Sequence, residues 1–455
     1  MITDLEEELL DESLASAGEA GPGKRATFID VLRKANFRNL WLGQVVSQVG
    51  DYFTFLALTV IVSGFSNTTE GTALAVSVVM ISFSLPRLLF GLLAGVFVDR
   101  WDRRKTMLVS DLARVVLILF MIPAFMAASL PAIFVLGFLM STVGTLFNPA
   151  KSALIPRLVP PEQLLSANAL SQTSQIVATV LGPGLAGATL AVAGTGREWV
   201  ALVFDSATFL VSAFTIWLIR VPAGEKANVV TPDGEPQKGT ARSAIGKVWQ
   251  ELVVGFKALV LNRVIGLIAL IMAITMLGVG AINVLWVVFL KDQFGYEGPE
   301  LAWRFSLLDI AFALGMVVSS LLVGNVLSGL APKWFIAMSL FGAGMPIAIF
   351  GYLGDYWWLF GASVVMGAFI APIETGISTL VQIVTPNRML GRVGGGIGTV
   401  TETSTILSMS LAGVAGVALS IPVVFAIAGG LCMAMGLASA LLLPALGLKD
   451  MVADE

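Results

Sequence analysis

The sequence contains no histidine, a single cysteine and few charges. Each shortage excludes something. Without histidine there is no His-based metal centre and no His proton relay, and neither a metal nor a cofactor is expected. Cys432 has no partner for an internal disulfide and says nothing about redox compartment. Charged residues make up 13% of the chain, against roughly 25% in a typical soluble domain. A G-x-x-x-x-G-K-[ST] phosphate loop is missing, which argues against primary coupling to a nucleotide. H-E-x-x-H is also missing, and "SQVGD" lacks the first glycine of a G-x-G-D intramembrane protease motif. The chain is expected not to be an enzyme, and no catalytic residue is assigned.

What the sequence has is apolar bulk. Apolar residues reach 56%, and mean hydropathy is +0.89. A soluble core cannot hide that much apolar surface, so the expected solvent is lipid. In lipid the backbone must satisfy itself, which leaves helices or a closed barrel. The apolar runs are continuous for about 20 residues rather than alternating over about ten, which selects helices.

Six runs begin near Leu40, Ala73, Met107, Ala132, Leu165 and Trp199, and six more near Val264, Trp303, Lys333, Tyr356, Gly394 and Pro422. The expected fold is an all-α integral membrane protein with twelve transmembrane helices in two pseudo-symmetric six-helix halves. Residues 1–36 form a tail, acidic then basic: positions 1–20 hold seven acids and no base, which suits a solvated, disordered segment. The halves are 37–220 and 263–448. Between them 221–262 is a polar linker whose second part, "VWQELVVGFKALVL", is amphipathic and suits a membrane surface. Residues 449–455 are a second tail. If both termini are cytoplasmic, 22 of the 27 Lys and Arg fall on the cytoplasmic side, with only Arg197 and Lys291 outside. That segregation follows the positive-inside rule, and a wrong helix count would scramble it.

The loop "GVFVDRWDRRKTM" (95–107) packs four cations and two acids into seven residues between apolar runs. Topology explains the cations. It leaves Asp99 unexplained, because an anion at a helix C-terminus opposes the helix dipole. Here the sequence resembles the major facilitator superfamily, whose loop signature is roughly G-x-L-x-D-R-x-G-R-R. Gly95, Asp99, Arg100, Arg103 and Arg104 supply it, with departures at Phe97 and Asp102. "VDRWDRRKTM" resembles the macrolide-efflux, drug:proton antiporter branch. So do "FRNLWLGQVVSQVGD", "FNPAKSALIPRLVPPEQLLSANAL", "FDSATFLVSA" and "TPNRMLGRVGG".

The resemblance implies that Asp99 latches onto the N-terminus of helix 11, near "GRVGGGIG", and holds the cytoplasmic side closed. The matching loop of the second half, "GNVLSGLAPK", keeps Gly324 and Lys333 but has no acid.

Ionisable residues inside spans are functional hypotheses by default. Asp51 lies near the middle of helix 1, Glu374 in helix 10, Glu402 in helix 11, and Arg87 and Arg114 in helices 2 and 3. The plain alternative for each is a structural ion pair or a polar group facing water. It is the better reading for Asp205, Asp309 and Arg304, which sit nearer helix ends. Helices 1, 4, 7 and 10 line the cavity in the family, which favours Asp51 and Glu374. Asp51, Glu374, Glu402 and Arg114 are the candidates for proton coupling. Helix 4 carries no arginine before Lys151, unlike many proton-coupled exporters.

Helix 5 holds a loose G-P-x-x-G-type match, Gly182, Pro183 and Gly187, which favours export. Phe53, Phe55, Trp286, Phe289 and Met366 are proposed cavity residues, giving an apolar surface suited to hydrophobic or amphiphilic cargo. The resemblance thus implies a secondary exporter of hydrophobic or amphipathic small molecules, working by alternating access and coupled to protons. Exporters or flippases for siderophores or lysolipids share the architecture. A non-transporting receptor or scaffold on this fold is the alternative of another class. Expected partners are a small-molecule substrate, protons and the lipid bilayer, and no nucleic acid. The expected unit is a monomer in the cell membrane, with both termini cytoplasmic.

Overall fold

A computed structural model of the chain describes residues 27–220, 241–326 and 331–444. The acidic tail, the first part of the linker, most of the loop after Val326 and the C-terminal tail lie outside the described residues. Among the described residues there is no strand. The first half holds α1 (Ala35–Ser63), α2 (Thr69–Arg100), α3 (Arg103–Met126), α4 (Leu130–Leu154), α5 (Leu164–Ala193) and α6 (Trp199–Trp217). The second holds α7 (Arg263–Phe294), α8 (Gly298–Val326), α9 (Pro332–Phe350), α10 (Tyr356–Val384), α11 (Asn387–Ala418) and α12 (Ile421–Leu442). The short helix Phe28–Leu32 precedes α1, and a linker helix spans Ala241–Leu261.

Loop residues start these helices by capping orphan N–H groups. The Thr68 hydroxyl accepts from Gly71 N at 3.1 Å to open α2. Asp102 Oδ1 accepts from Lys105 N at 2.9 Å to open α3, and Asn262 Oδ1 accepts from Val264 N at 3.0 Å to open α7. Asp102 is therefore an N-cap, which gives its departure from the loop signature a local reason.

Eleven of the twelve long helices are apolar enough to cross a membrane by length and composition. The exception is α11, 32 residues long, whose "GRVGGGIGTVTETST" dilutes the apolar run. Large apolar side chains face outward on many of the twelve, among them Phe120, Met126 and Leu441, 60%, 77% and 82% exposed. Lipid is the solvent that makes such a surface stable.

Helix pairing repeats between the halves. α1 packs on α5 and α6, α3 on α4 and α6, and α2 on α4. In the second half α7 packs on α11 and α12, α9 on α10 and α12, and α8 on α10. Two crossings join the halves, α5 on α8 and α2 on α11, and each is the counterpart of the other.

The two ends of the bundle differ. One end, the basic face, carries the loops rich in Lys and Arg. There the apolar core is split into two clusters. One is built from first-half residues such as Phe37, Met107 and Phe147. The other comes from the second half and the linker helix, with Leu259, Ile336 and Leu380. At the opposite, far face a single cluster runs through both halves and includes Phe53, Leu58, Trp286, Phe289 and Phe425. The halves are fused at the far face and part at the basic one.

Candidate functional site

The first half holds a cavity of about 380 Å³. Gln44, Ser47, Gln48, Asp51 and Tyr52 line it from α1. Their spacing, i, i+3, i+4, i+7 and i+8, is one face of a helix. Arg87 comes from α2, Arg114 from α3, Phe147, Asn148 and Lys151 from α4, and Gln175, Ala178 and Thr179 from α5. The lining is polar, not the apolar and aromatic wall expected from the sequence.

Phe53, Trp286, Phe289 and Met366 are instead buried in the shared core. Phe53 stacks on Phe204 at 5.8 Å, and Phe289 meets Phe350 and Phe425 at 5.9 and 5.6 Å. Phe55 is half-buried against the same core. In this conformation these aromatics pack in the core at the far face, where Trp286 and Met366 also border a small apolar pocket with Ile282, Ile347, Phe350 and Phe425.

Arg114 organises the deep end of the cavity. Its guanidinium lies over the Phe147 and Phe209 rings, 5.4 and 5.0 Å from their centroids. Gly144 makes room for it, since a Cβ there would approach Nη2 to 2.7 Å. Asp51, Asp111 and Asp205 are all within its electrostatic reach. Asp51 faces the cavity, whereas Asp111 and Asp205 are fully buried behind the wall. Asp111 accepts a 2.6 Å hydrogen bond from the Ser212 hydroxyl, and Asp205 accepts one of 3.1 Å from Thr208. Three carboxyls and one guanidinium therefore share the junction of α1, α3 and α6. Bare charges there are costly, and the cation is what makes the group tolerable.

Asp205 was expected to reach water near a helix end, but Gly50 and Thr208 pack over it. Asp111 is missing from the sequence-based candidates. The signal was present in "SDLAR": Asp111 and Arg114 are three residues apart and share a face of α3.

Glu402 is paired. Its carboxylate meets Arg87 Nε at 3.0 Å across the α2–α11 crossing, and Arg87 also donates to the Ser84 hydroxyl at 3.3 Å. With Arg87 engaged there, Arg114 is the cation left to Asp51. Glu374 is exposed on α10 and is not part of the cavity lining. Arg304 belongs to the far rim, over Tyr296 and Tyr356 at 5.2 and 4.8 Å. Asp309 is half-buried on α8.

The far face is sealed by polar contacts as well as by the core. Lys291 Nζ at the end of α7 donates to the Ser63 and Ser66 carbonyls, at 2.7 and 3.0 Å. Thr69 donates to Asp292 at 2.6 Å. The helix-5 motif lies on the inter-half crossing. A Cβ added at Gly187 would clash with Ser306 and come 3.4 Å from the Ala302 carbonyl of α8, and one added at Gly184 would come 3.1 Å from Ile310. Gly182 meets the ring of Tyr52, and Pro183 is buried between them. Small residues there let backbones approach.

In the 95–107 loop, Arg104 donates from Nε to the Ile216 carbonyl at 3.1 Å and from Nη2 to the Trp217 carbonyl. A cation thus closes the C-terminus of α6, where the helix dipole favours it. Arg103 is half-buried in the first turn of α3. Gly95 faces open space. The side chains of Asp99 and Arg100 lie outside the described residues, and so does the latch drawn from the first of them.

Two six-helix halves, repeated in their pairing and parted on one side, with a polar cavity in the first, define a multi-pass membrane transporter. The sequence profile of the Major Facilitator Superfamily matches residues 40–279 and 268–449, and the chain belongs to that superfamily. It is 27% identical to macrolide efflux protein A of Streptococcus pyogenes over 389 residues, 83% of this chain and 87% of that protein. It is 25% identical to the enterobactin exporter EntS of Escherichia coli O1:K1 / APEC over 366 residues, 79% of this chain and 80% of that protein. Among solved structures, a bacterial homologue of the iron transporter ferroportin in the inward-facing state superposes with a TM-score of 0.66 at 17% identity. That match covers 90% of this chain and 97% of that one.

Proposed function

We propose that the chain is a secondary exporter of amphipathic small molecules, working by alternating access and coupled to protons through Asp51. On this reading the basic face is cytoplasmic, so the cavity opens inward and the far face is the outer gate. The observation that carries the proposal is a polar cavity with a carboxyl, Asp51, at its deep end, beneath a sealed far face. Rocking the halves about α5–α8 and α2–α11 would expose the same site outward. Export is the direction named for the relatives macrolide efflux protein A and EntS.

Asp51 is the acid of the Arg114 cluster that lines the cavity, so it is the acid able to exchange a proton with whichever side the cavity faces. The polar lining favours oxygen-rich cargo, such as a siderophore, over a purely hydrocarbon one.

Counterflow of a labelled dye in proteoliposomes tests transport itself: accelerated uptake by dye-loaded vesicles is expected, and its absence would favour a receptor or scaffold. Orientation is tested by Asp233→Cys in a Cys432→Ser background. The introduced thiol is expected to resist impermeant maleimide in intact cells; labelling from outside would invert the assignment.

A further inference from the structure

The cavity holds charges of two kinds. Arg87 is matched by Glu402, and Arg114 by the three acids around it. Lys151 also lines the cavity, one helical turn from the end of α4, and no hydrogen bond or ion pair engages it among the described residues. Asn148, one turn before it, and Gln175, on α5, line the same cavity, and their side chains likewise have no partner among the described residues. Gln48 points Oε1 into the wall with no partner at all. A lone ammonium with amide donors lining the same cavity is complementary to an anionic oxygen group.

We infer that Lys151, with Asn148 and Gln175, is the cargo-recognition subsite for the negatively charged head of an amphiphile: a carboxylate, sulfonate or ionised phenol. The inference rests on the exporter reading and names its cargo class. Lys151 sits one turn from the basic-face end of α4 and Asp51 near the middle of α1, and both line the cavity. The head is held by the ammonium and its neighbouring amides, and the body of the cargo lies along the polar face of α1. Outward movement of such an anion also runs with an inside-negative membrane potential.

Two xanthene dyes of similar shape and opposite charge, carboxyfluorescein and rhodamine 6G, separate this inference from its alternatives. Binding is read by fluorescence anisotropy with the purified full-length protein, and export by the same dyes in proteoliposomes. The wild type is expected to bind carboxyfluorescein more tightly than rhodamine 6G. K151Q should weaken carboxyfluorescein by about tenfold or more, the loss expected for a charged hydrogen bond, and leave rhodamine 6G within about twofold. K151R, which keeps the charge, should retain most of the preference and controls for folding. Equal effects of K151Q on both dyes, no effect on either, or tighter wild-type binding of rhodamine 6G would overturn the subsite. Lys151-dependent binding of carboxyfluorescein without its export would leave the subsite standing and sink the exporter reading. Export of rhodamine 6G unaltered in K151Q, with no carboxyfluorescein preference, would do the reverse.

Discussion

The two halves share a helix-pairing scheme and differ in chemistry. Every residue that lines the cavity comes from α1 to α5. The second half instead holds a block of aromatics, Trp286, Phe289, Phe350 and Phe425, packed edge to face in the core. The fold is repeated because it depends on apolar runs and loop lengths, which both halves have. The charges are not, because each buried ionisable group needs its own cation or hydrogen-bond donors, and one furnished wall is cheaper than two. The comparison places the polar cavity in the first half and the aromatic packing in the second, and the proposed ligand and proton chemistry goes with the cavity.

The largest effect should come from removing the cation that makes the first half's wall tolerable. Arg114→Gln leaves Asp51, Asp111 and Asp205 without a counter-charge. It should destabilise the protein by about 1–3 kcal/mol, the cost of leaving buried polar groups unmatched, seen as a fall in thermal midpoint in detergent. Arg114→Lys should recover part of the loss. A midpoint equal to wild type in Arg114→Gln would mean that the three acids do not depend on it.

The next effect concerns the basic face. Asp99→Asn should weaken inward closure and raise the inward-open population by up to about tenfold, the shift worth 1.4 kcal/mol. Inter-half distances measured between spin labels would report it. Unchanged populations would leave the 95–107 loop to its arginines, with Arg104 on the end of α6 as their visible contact.

A smaller effect is expected at the one ion pair that joins α2 to α11 among the described residues. Arg87 is 61% and Glu402 26% exposed, so the pair is screened and worth at most about 1 kcal/mol. Glu402→Gln should therefore shift the same distance populations by only about two- to fivefold and leave proton-driven export in place. Loss of driven export would move the proton site out of the first half and break the comparison.

The fold was legible because lipid imposes a simple rule: each span must be long, apolar and helical. The positions of Lys and Arg then fixed the helix count independently, although α11 on composition alone falls short. The cavity was less legible. The face Gln44, Ser47, Gln48, Asp51 and Tyr52 is a helical stripe that periodicity alone exposes, yet attention went to aromatics that suit a drug pocket. Phe53 and Phe289 are as apolar in a packed gate as in a cavity, so residue type cannot separate the two. Glu402 and Arg87 lie 315 positions apart in the sequence, and no spacing rule announces such a pair. Asp111 and Arg114 were three apart and could have been read together.

The central claim is that the first half carries the proton. Its most direct measurement compares Asp51→Asn with Glu374→Gln in proteoliposomes, running export under an imposed pH gradient beside energy-independent counterflow of the same cargo. Asp51→Asn, which mimics the permanently protonated acid, should lose gradient-driven export by at least about tenfold and keep counterflow, while Glu374→Gln keeps both. Gradient-driven export that survives in Asp51→Asn, or that fails equally in Glu374→Gln, would contradict the assignment.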